Sequence, residues 1–143
     1  MTTEPGSPGN EPCADPFLDH LTEAVTRMGP DGSIGVTLFA GAGPISGSLI
    51  TYEAWRRLFF QQFPEHVAMY SPSGPVAPPW VQPYLTDLRA QLAEHDRGPS
   101  SADRFVHLKD AFIPVGLRDS WYVPLWRGRR EDVHSWMLGS PRR

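Results

Sequence analysis

The stretch IGVTLFAGAGPISGSLI, residues 34–50, decides how the rest of the chain is read. Ile34, Val36, Leu38 and Ala40 alternate with Thr37 and Phe39, the period-two pattern of a half-buried strand. Gly41-Ala42-Gly43 supplies a tight hairpin loop. A second strand runs from Pro44 to Ile50, with Ile45 and Leu49 on one face and Gly47 in its middle. An interior glycine weakens a strand unless it marks a bulge or a sharp bend. Gly47 is read as the bend of a small, strongly curved sheet.

Upstream of the hairpin, Asp15-Pro16 reads as an N-cap followed by proline in the first helical turn. Phe17, Leu21, Ala24, Val25 and Met28 recur at helical spacing until Gly29-Pro30 stops the helix. Residues 1–14, polar and proline-bearing with no periodic apolar face, read as a disordered tail.

Downstream, Thr51 caps a second helix whose face carries Tyr52, Trp55, Leu58 or Phe59, and Phe63, and Pro64 is expected to end it. Pro64, Pro72, Pro75, Pro78 and Pro79 mark an irregular connector. Val81, Leu85, Leu88 and Leu92 mark a third helix, and Gly98 to Asp103 a loop. Phe105 to Leu108 alternates and continues through Ala111-Phe112-Ile113 after a Lys109-Asp110 kink. Leu125 to Gly128 and Val133 to Leu138 predict a last hairpin around Arg130-Glu131-Asp132, with Pro124 fitting only a strand start or an edge. The expectation is a mainly β, α+β domain over residues 15–139. It is built on an antiparallel sheet or barrel of about five strands, with an N-terminal helix and a helical insertion at about 64–99. Residues 140–143 form a short tail.

Composition agrees with a folded core carrying excursions. The 143 residues are 40% hydrophobic, yet include 16 prolines and 13 glycines. No apolar run approaches the ~18–20 residues of a membrane span, and no secretory signal is visible, so a cytoplasmic setting is expected. A single cysteine, Cys13, excludes an internal disulfide and a cysteine metal cluster. Net charge is −3, against the basic stripe of a dedicated nucleic-acid binder. From Arg104 onward there are eight basic and four acidic residues, against five and twelve before it. An acidic front and a basic back can pair within one molecule or between molecules.

Chemistry is sparse. Gly41, Gly43 and Gly47 lack the spacing of a dinucleotide fingerprint and lead into a strand, not a helix. Ser46 is one position off a nucleophile elbow. His20, His66, His95, His107 and His134 include no pair at metal-ligand spacing, although His107 and His134 lie on predicted strands. Asp15, Asp19 and Glu23 share one solvated helix face. No catalytic, cofactor-binding or metal-binding residue is assigned. Arg127-Gly128-Arg129-Arg130, flanked by Trp126 and Trp136, is the best candidate for RNA contact, because arginine and aromatic rings supply phosphate binding and stacking.

Four segments in order resemble the gas vesicle accessory protein U family. Gly35-Val36-Thr37-Leu38 through Ile45-Ser46-Gly47-Ser48-Leu49-Ile50 is similar to the family's G-apolar-T-L … I-S-G-x-L-I pattern. The aromatic stretch Tyr52 to Phe63, then Phe105-Val106-His107-Leu108-Lys109, and finally Trp126-Arg127-Gly128 with Val133 and Leu138-Gly139 complete the set. Residues 64–99, and Ser135-Trp136, depart from it. The resemblance implies a non-enzymatic accessory role in gas vesicle assembly or clustering, through self-association and contact with shell or accessory proteins. No catalytic residue transfers with it. A second similarity, to Sm-like small barrels, rests on the bent strand pair and the late Arg127-Gly128, and its functional counterpart is an RNA-binding module.

The residues expected to make contacts are Arg127, Arg129 and Arg130, with Trp126 and Trp136 as exposed aromatics, and Asp19 and Glu23 on the acidic face. If charge drives association, sedimentation should show it weakening from low to high salt, because exposed charges are screened over about 8–10 Å near physiological ionic strength.

Overall fold

The computed structural model describes residues 15–41, 43–95 and 104–139. The expected tails at 1–14 and 140–143 and the loop over 98–103 lie outside these residues. The architecture is α+β, three helices and a five-stranded antiparallel sheet, with a separate two-stranded ribbon.

Helix α1 spans Pro16–Arg27. The Asp15 carboxylate caps it by accepting from the Phe17 backbone N–H at 3.0 Å, and Pro16 occupies the first turn, where its missing N–H costs nothing. The inward stripe is the buried Leu18 and Val25 with the half-buried Leu21, so Leu21 and Val25 lie on the expected face and Leu18 takes the place of Phe17. Phe17 and Met28 point to solvent.

Strands β1 (Ile34–Ala40) and β2 (Gly43–Ile50) form the predicted hairpin, with Ala40 opposite Gly43 and Ile34 opposite Leu49. Strand β5 (Phe105–Pro114) pairs with β2, β6 (Ser120–Arg129) pairs with β5, and β7 (Val133–Leu138) pairs with β1. The strand order is β6-β5-β2-β1-β7. Cross-strand partners therefore put Leu38, Ile45, Leu49, Leu108, Trp126 and Trp136 on one face, where Leu18 and Val25 of α1 complete the core.

That order corrects the expected last hairpin. β6 and β7 are consecutive in the chain but occupy opposite edges of the sheet, joined only by a 3₁₀ turn at Arg130–Asp132. Across a flat sheet the two edges would stand about 19 Å apart, four spacings of about 4.8 Å. A three-residue 3₁₀ turn rises only about 2 Å per residue. The sheet must therefore curl until the end of β6 approaches the start of β7. The curl stops short of closure: β6 and β7 share no ladder, so the sheet is open and the expected barrel is not formed. A cavity of about 710 Å³ opens at the seam, lined among others by Ile45, Ile113, Trp126, Asp132 and His134.

Gly47 is where the curl is built. Ser46 faces Phe112 and Ser48 faces Lys109, so one residue of β2 opposes two of β5, a β-bulge. On the bulged strand Asp110 sits at φ +50°, the left-handed region that aspartate tolerates better than most residues. A Cβ on Gly47 would lie 3.1 Å from Ala111 Cα and 3.1 Å from the Lys109 carbonyl oxygen, both backbone atoms that cannot step aside. The predicted kink at Lys109-Asp110 is this bulge. Pro124, opposite Asp110, lies inside β6, which tolerates it as an edge strand.

The insertion is more ordered than a connector. Helix α2 (Tyr52–His66) runs through Pro64, which lies in its last turn, instead of ending there. A short ribbon follows, β3 (Met69–Ser71) with β4 (Gly74–Val76), and then α3 (Val81–His95). Phe60, Val81 and Leu85 form a second small core with Phe59, Phe63, Leu88 and Leu92 around it.

Gly47→Ala should destabilise the fold by about 1–3 kcal/mol, as overpacking against a fixed backbone does. Chemical denaturation checks this; an unchanged midpoint would contradict the role given to the bulge.

Candidate functional site

The sheet face turned away from α1 carries Ile50, His107 and Arg127 in one cross-strand row, since Ile50 faces His107 and His107 faces Arg127. Phe105, two residues before His107, lies on the same face. Helix α2 starts directly after β2. Its N-cap, Thr51, accepts from the Ala54 backbone N–H at 3.1 Å, and this tight start lays Tyr52 and Trp55, three apart on the helix, over His107.

The result is an arginine set among rings. Arg127 donates its Nε–H to His107 Nε2 at 3.2 Å. Its guanidinium stands 4.0 Å from the Phe105 ring centre, and 5.9 and 5.8 Å from those of Tyr52 and Trp55. Tyr52 and Trp55 in turn contact the His107 ring at 5.3 and 5.4 Å. Cation–π attraction and a hydrogen bond hold the guanidinium in place, although the Arg127 residue as a whole is exposed.

His107 is 3% exposed. Burial, and then the neighbouring Arg127 charge, lower its pKa to about 4. At neutral pH the ring is uncharged, and because Nε2 accepts from Arg127 its proton sits on Nδ1. The hydrogen-bonding side-chain neighbour of His107 is Arg127, and that of His134 is Ser135 at 3.5 Å. Among the described residues no group of three or more histidine, cysteine, aspartate and glutamate residues could hold a metal ion.

The remaining sequence candidates meet at the β6–β7 corner. Asp19 Oδ1 stands 2.7 Å from Arg130 Nη1, an ion pair by distance whose N–H direction falls outside hydrogen-bond alignment. Arg129 pairs with Glu131. Glu23 pairs along α1 with Arg27 at 3.1 Å. Trp136 donates its Nε1–H to the second oxygen of the capping carboxylate Asp15 at 2.6 Å. Trp126 lies over Gly128 so closely that a Cβ there would clash with the indole. Trp126 and Trp136 are thus half-buried against the core, not exposed as expected.

Part of the acidic front thus meets the basic back inside one chain. Asp15 and Asp19 tie α1 to β7 and to the turn. Arg127 lies apart from the Asp19–Arg130 pair, held against His107 and the Phe105 ring. The three arginines make no common free basic patch, and nothing in this arrangement supports an Sm-like RNA-binding module. Sequence reading passed over Tyr52, Phe105 and His107 as a unit. Their signal was present in the alternation Phe105-x-His107 and the i, i+3 pair Tyr52 and Trp55, but the strand pairing that brings in Arg127 is not a local property.

A family model described as gas vesicle protein GvpU-like matches residues 15–141, most of the chain. No curated protein and no solved structure matches it. Among the described residues no helix is long and apolar enough to cross a membrane.

Because His107 in the folded chain ionises near pH 4 and an unfolded histidine near 6.5, the unfolded state binds more protons between those values. Stability present above pH 6.5 should be lost as pH falls toward 4. Thermal midpoints measured from pH 7.5 to 4.5 should fall for the native chain and fall less for His107→Gln, which keeps an acceptor but cannot titrate. Equal slopes would contradict the assignment.

Proposed function

Because this chain belongs to the GvpU-like family of gas vesicle proteins, we propose that it is a non-enzymatic accessory protein that aids assembly or clustering of gas vesicles. It acts in the cytoplasm, by associating with itself and with shell or accessory proteins. One observation carries the mechanism: most of the exposed large apolar side chains among the described residues, nine of thirteen, lie at two separate places, the others being at α1 and β7. On the helical insertion they are Met69, Tyr70, Val76, Trp80 and Tyr84. At the far end of the β5–β6 hairpin they are Val115, Leu117, Trp121 and Tyr122. Contiguous exposed apolar groups mark interaction surfaces, and scattered single ones do not.

Two such surfaces on different elements let one chain touch two neighbours, which is what clustering demands. Linked contacts raise avidity without any single contact being strong. The rings on the insertion are held in position: Phe63 stacks on Tyr84 at 5.6 Å, and Trp80 meets Tyr84 edge-on at 5.7 Å. The charged candidates fit this role less well. Arg127, Arg129, Arg130, Asp19 and Glu23 each have a partner within the molecule.

Leu117 and Trp121 are fully and largely exposed, so their replacement leaves the core untouched. The double variant Leu117→Ser, Trp121→Ser should fold with an unchanged thermal midpoint. It should float with intact gas vesicles much less than the native chain. Equal flotation would remove the hairpin tip from the interaction, and a native chain that never floats with vesicles would overturn the proposal.

A further inference from the structure

We propose that β7 is a self-pairing edge. Two copies join β7 to β7 about a two-fold axis, antiparallel, continuing the five-stranded sheet of one copy into that of the next. This rests on the self-association reading above and names the contact that carries it.

The direction of the backbone groups follows from one hydrogen bond. Gly139 N–H donates to the Gly35 carbonyl at 2.7 Å, in register with Val36 opposite Leu138 and Thr37 opposite Met137. Hydrogen-bonded and non-hydrogen-bonded pairs alternate along an antiparallel ladder. Met137 and Ser135 therefore turn their N–H and C=O toward β1, and Trp136 and Leu138 turn theirs outward. Among the described residues β7 has no ladder partner on that outer side.

The two edges of the sheet differ in how they are guarded. Native edges are protected by charge, proline and bulges. β6 carries Pro124, Arg127 and Arg129. β7 reads Val-His-Ser-Trp-Met-Leu, with no proline, no glycine and none of lysine, arginine, aspartate or glutamate; it does bulge, but at His134, before the regularly paired stretch Ser135–Leu138. Six residues of that kind are the signature of a pairing segment. Charge also selects the occupant. A two-fold axis sets a strand against itself, and like charges opposite one another destabilise. β7 has no such charges to oppose, so a second copy of this chain fits it.

The pair is small. A six-residue edge buries less than the about 1,200 Å² of a standard stable interface. The contact is accordingly weak and concentration-dependent, and it adds a third point of attachment to the two apolar surfaces. Because the contact is isologous, it closes on two copies and does not by itself grow into a fibre.

Leu138→Pro deletes an outward N–H without removing a bond to β1, and Leu138, 63% exposed, is not needed to fill the core. Leu138→Ala shortens the side chain and keeps the N–H. Sedimentation of the full chain should show Leu138→Pro associating about tenfold or more weakly, since the two-fold axis doubles each lost hydrogen bond. Leu138→Ala should associate nearly as the native chain does. Hydrogen exchange at the Trp136 and Leu138 amides should slow as protein concentration rises. Should circular dichroism find Leu138→Pro unfolded, Ser135→Lys takes its place: it puts like charges across the axis on an exposed position and should weaken association most at low salt. A native chain that associates while Leu138→Pro, or Ser135→Lys in its place, associates equally overturns the edge pairing and leaves the self-association reading standing. A native chain that stays monomeric overturns both.

Discussion

Three residues, Arg130–Asp132, connect the two opposite edges of the sheet, and the rest of the molecule follows from that short tether. A flat five-stranded sheet is too wide for it. The sheet curls, and the bulge of Gly47 against Asp110 and Ala111 gives the bend a place to occur. Curling brings Trp126 of one edge and Trp136 of the other into the same apolar core as Leu18 and Val25. Helix α1 is tied by Asp15 to Trp136 and by Asp19 to Arg130.

This arrangement sorts the side chains by task. The inner face is ordinary close-packed core. The opposite face buries one polar unit, in which His107 gives its lone pair to Arg127 and the rings of Phe105, Tyr52 and Trp55 surround the guanidinium. Burying a polar group is tolerable when it is hydrogen-bonded, and the buried member, His107, accepts from the exposed Arg127. What is left for neighbours lies at the periphery: the aromatic residues of the insertion, the apolar tip of the β5–β6 hairpin and the neutral edge of β7. This member of a gas vesicle protein family thus has its exposed apolar groups outside its core.

Much of the fold was legible because it is local. The alternation of residues 34–40, the Asp15 and Thr51 caps, the glycine bend and the kink at Lys109-Asp110 all follow from periods and from backbone preference within a few residues. The failures share the opposite cause. Val133 to Leu138 was assigned to a hairpin with its sequence neighbour, but it pairs with β1, almost a hundred residues earlier, because Val36 and Leu38 offer a better-matched core partner. Pro64 was read as a stop, yet a proline in the last turn disturbs little. The prolines of 72–79 hid a ribbon of three-residue strands too short to carry a pattern. Trp126 and Trp136 looked like partners for a ligand, but the curl turns both inward. The setting of Arg127 among Phe105, His107, Tyr52 and Trp55 is legible only in part, since it needs the register of β5 against β6.

The account stands on charges being satisfied within the chain and on apolar and backbone groups being left for neighbours. Concentration-dependent sedimentation at about 0.05 M and at about 0.5 M salt tests that division most directly, because screening over this range removes attraction between exposed charges and leaves apolar contact intact. The prediction is self-association that persists undiminished at high salt. Association that appears only at low salt would contradict it.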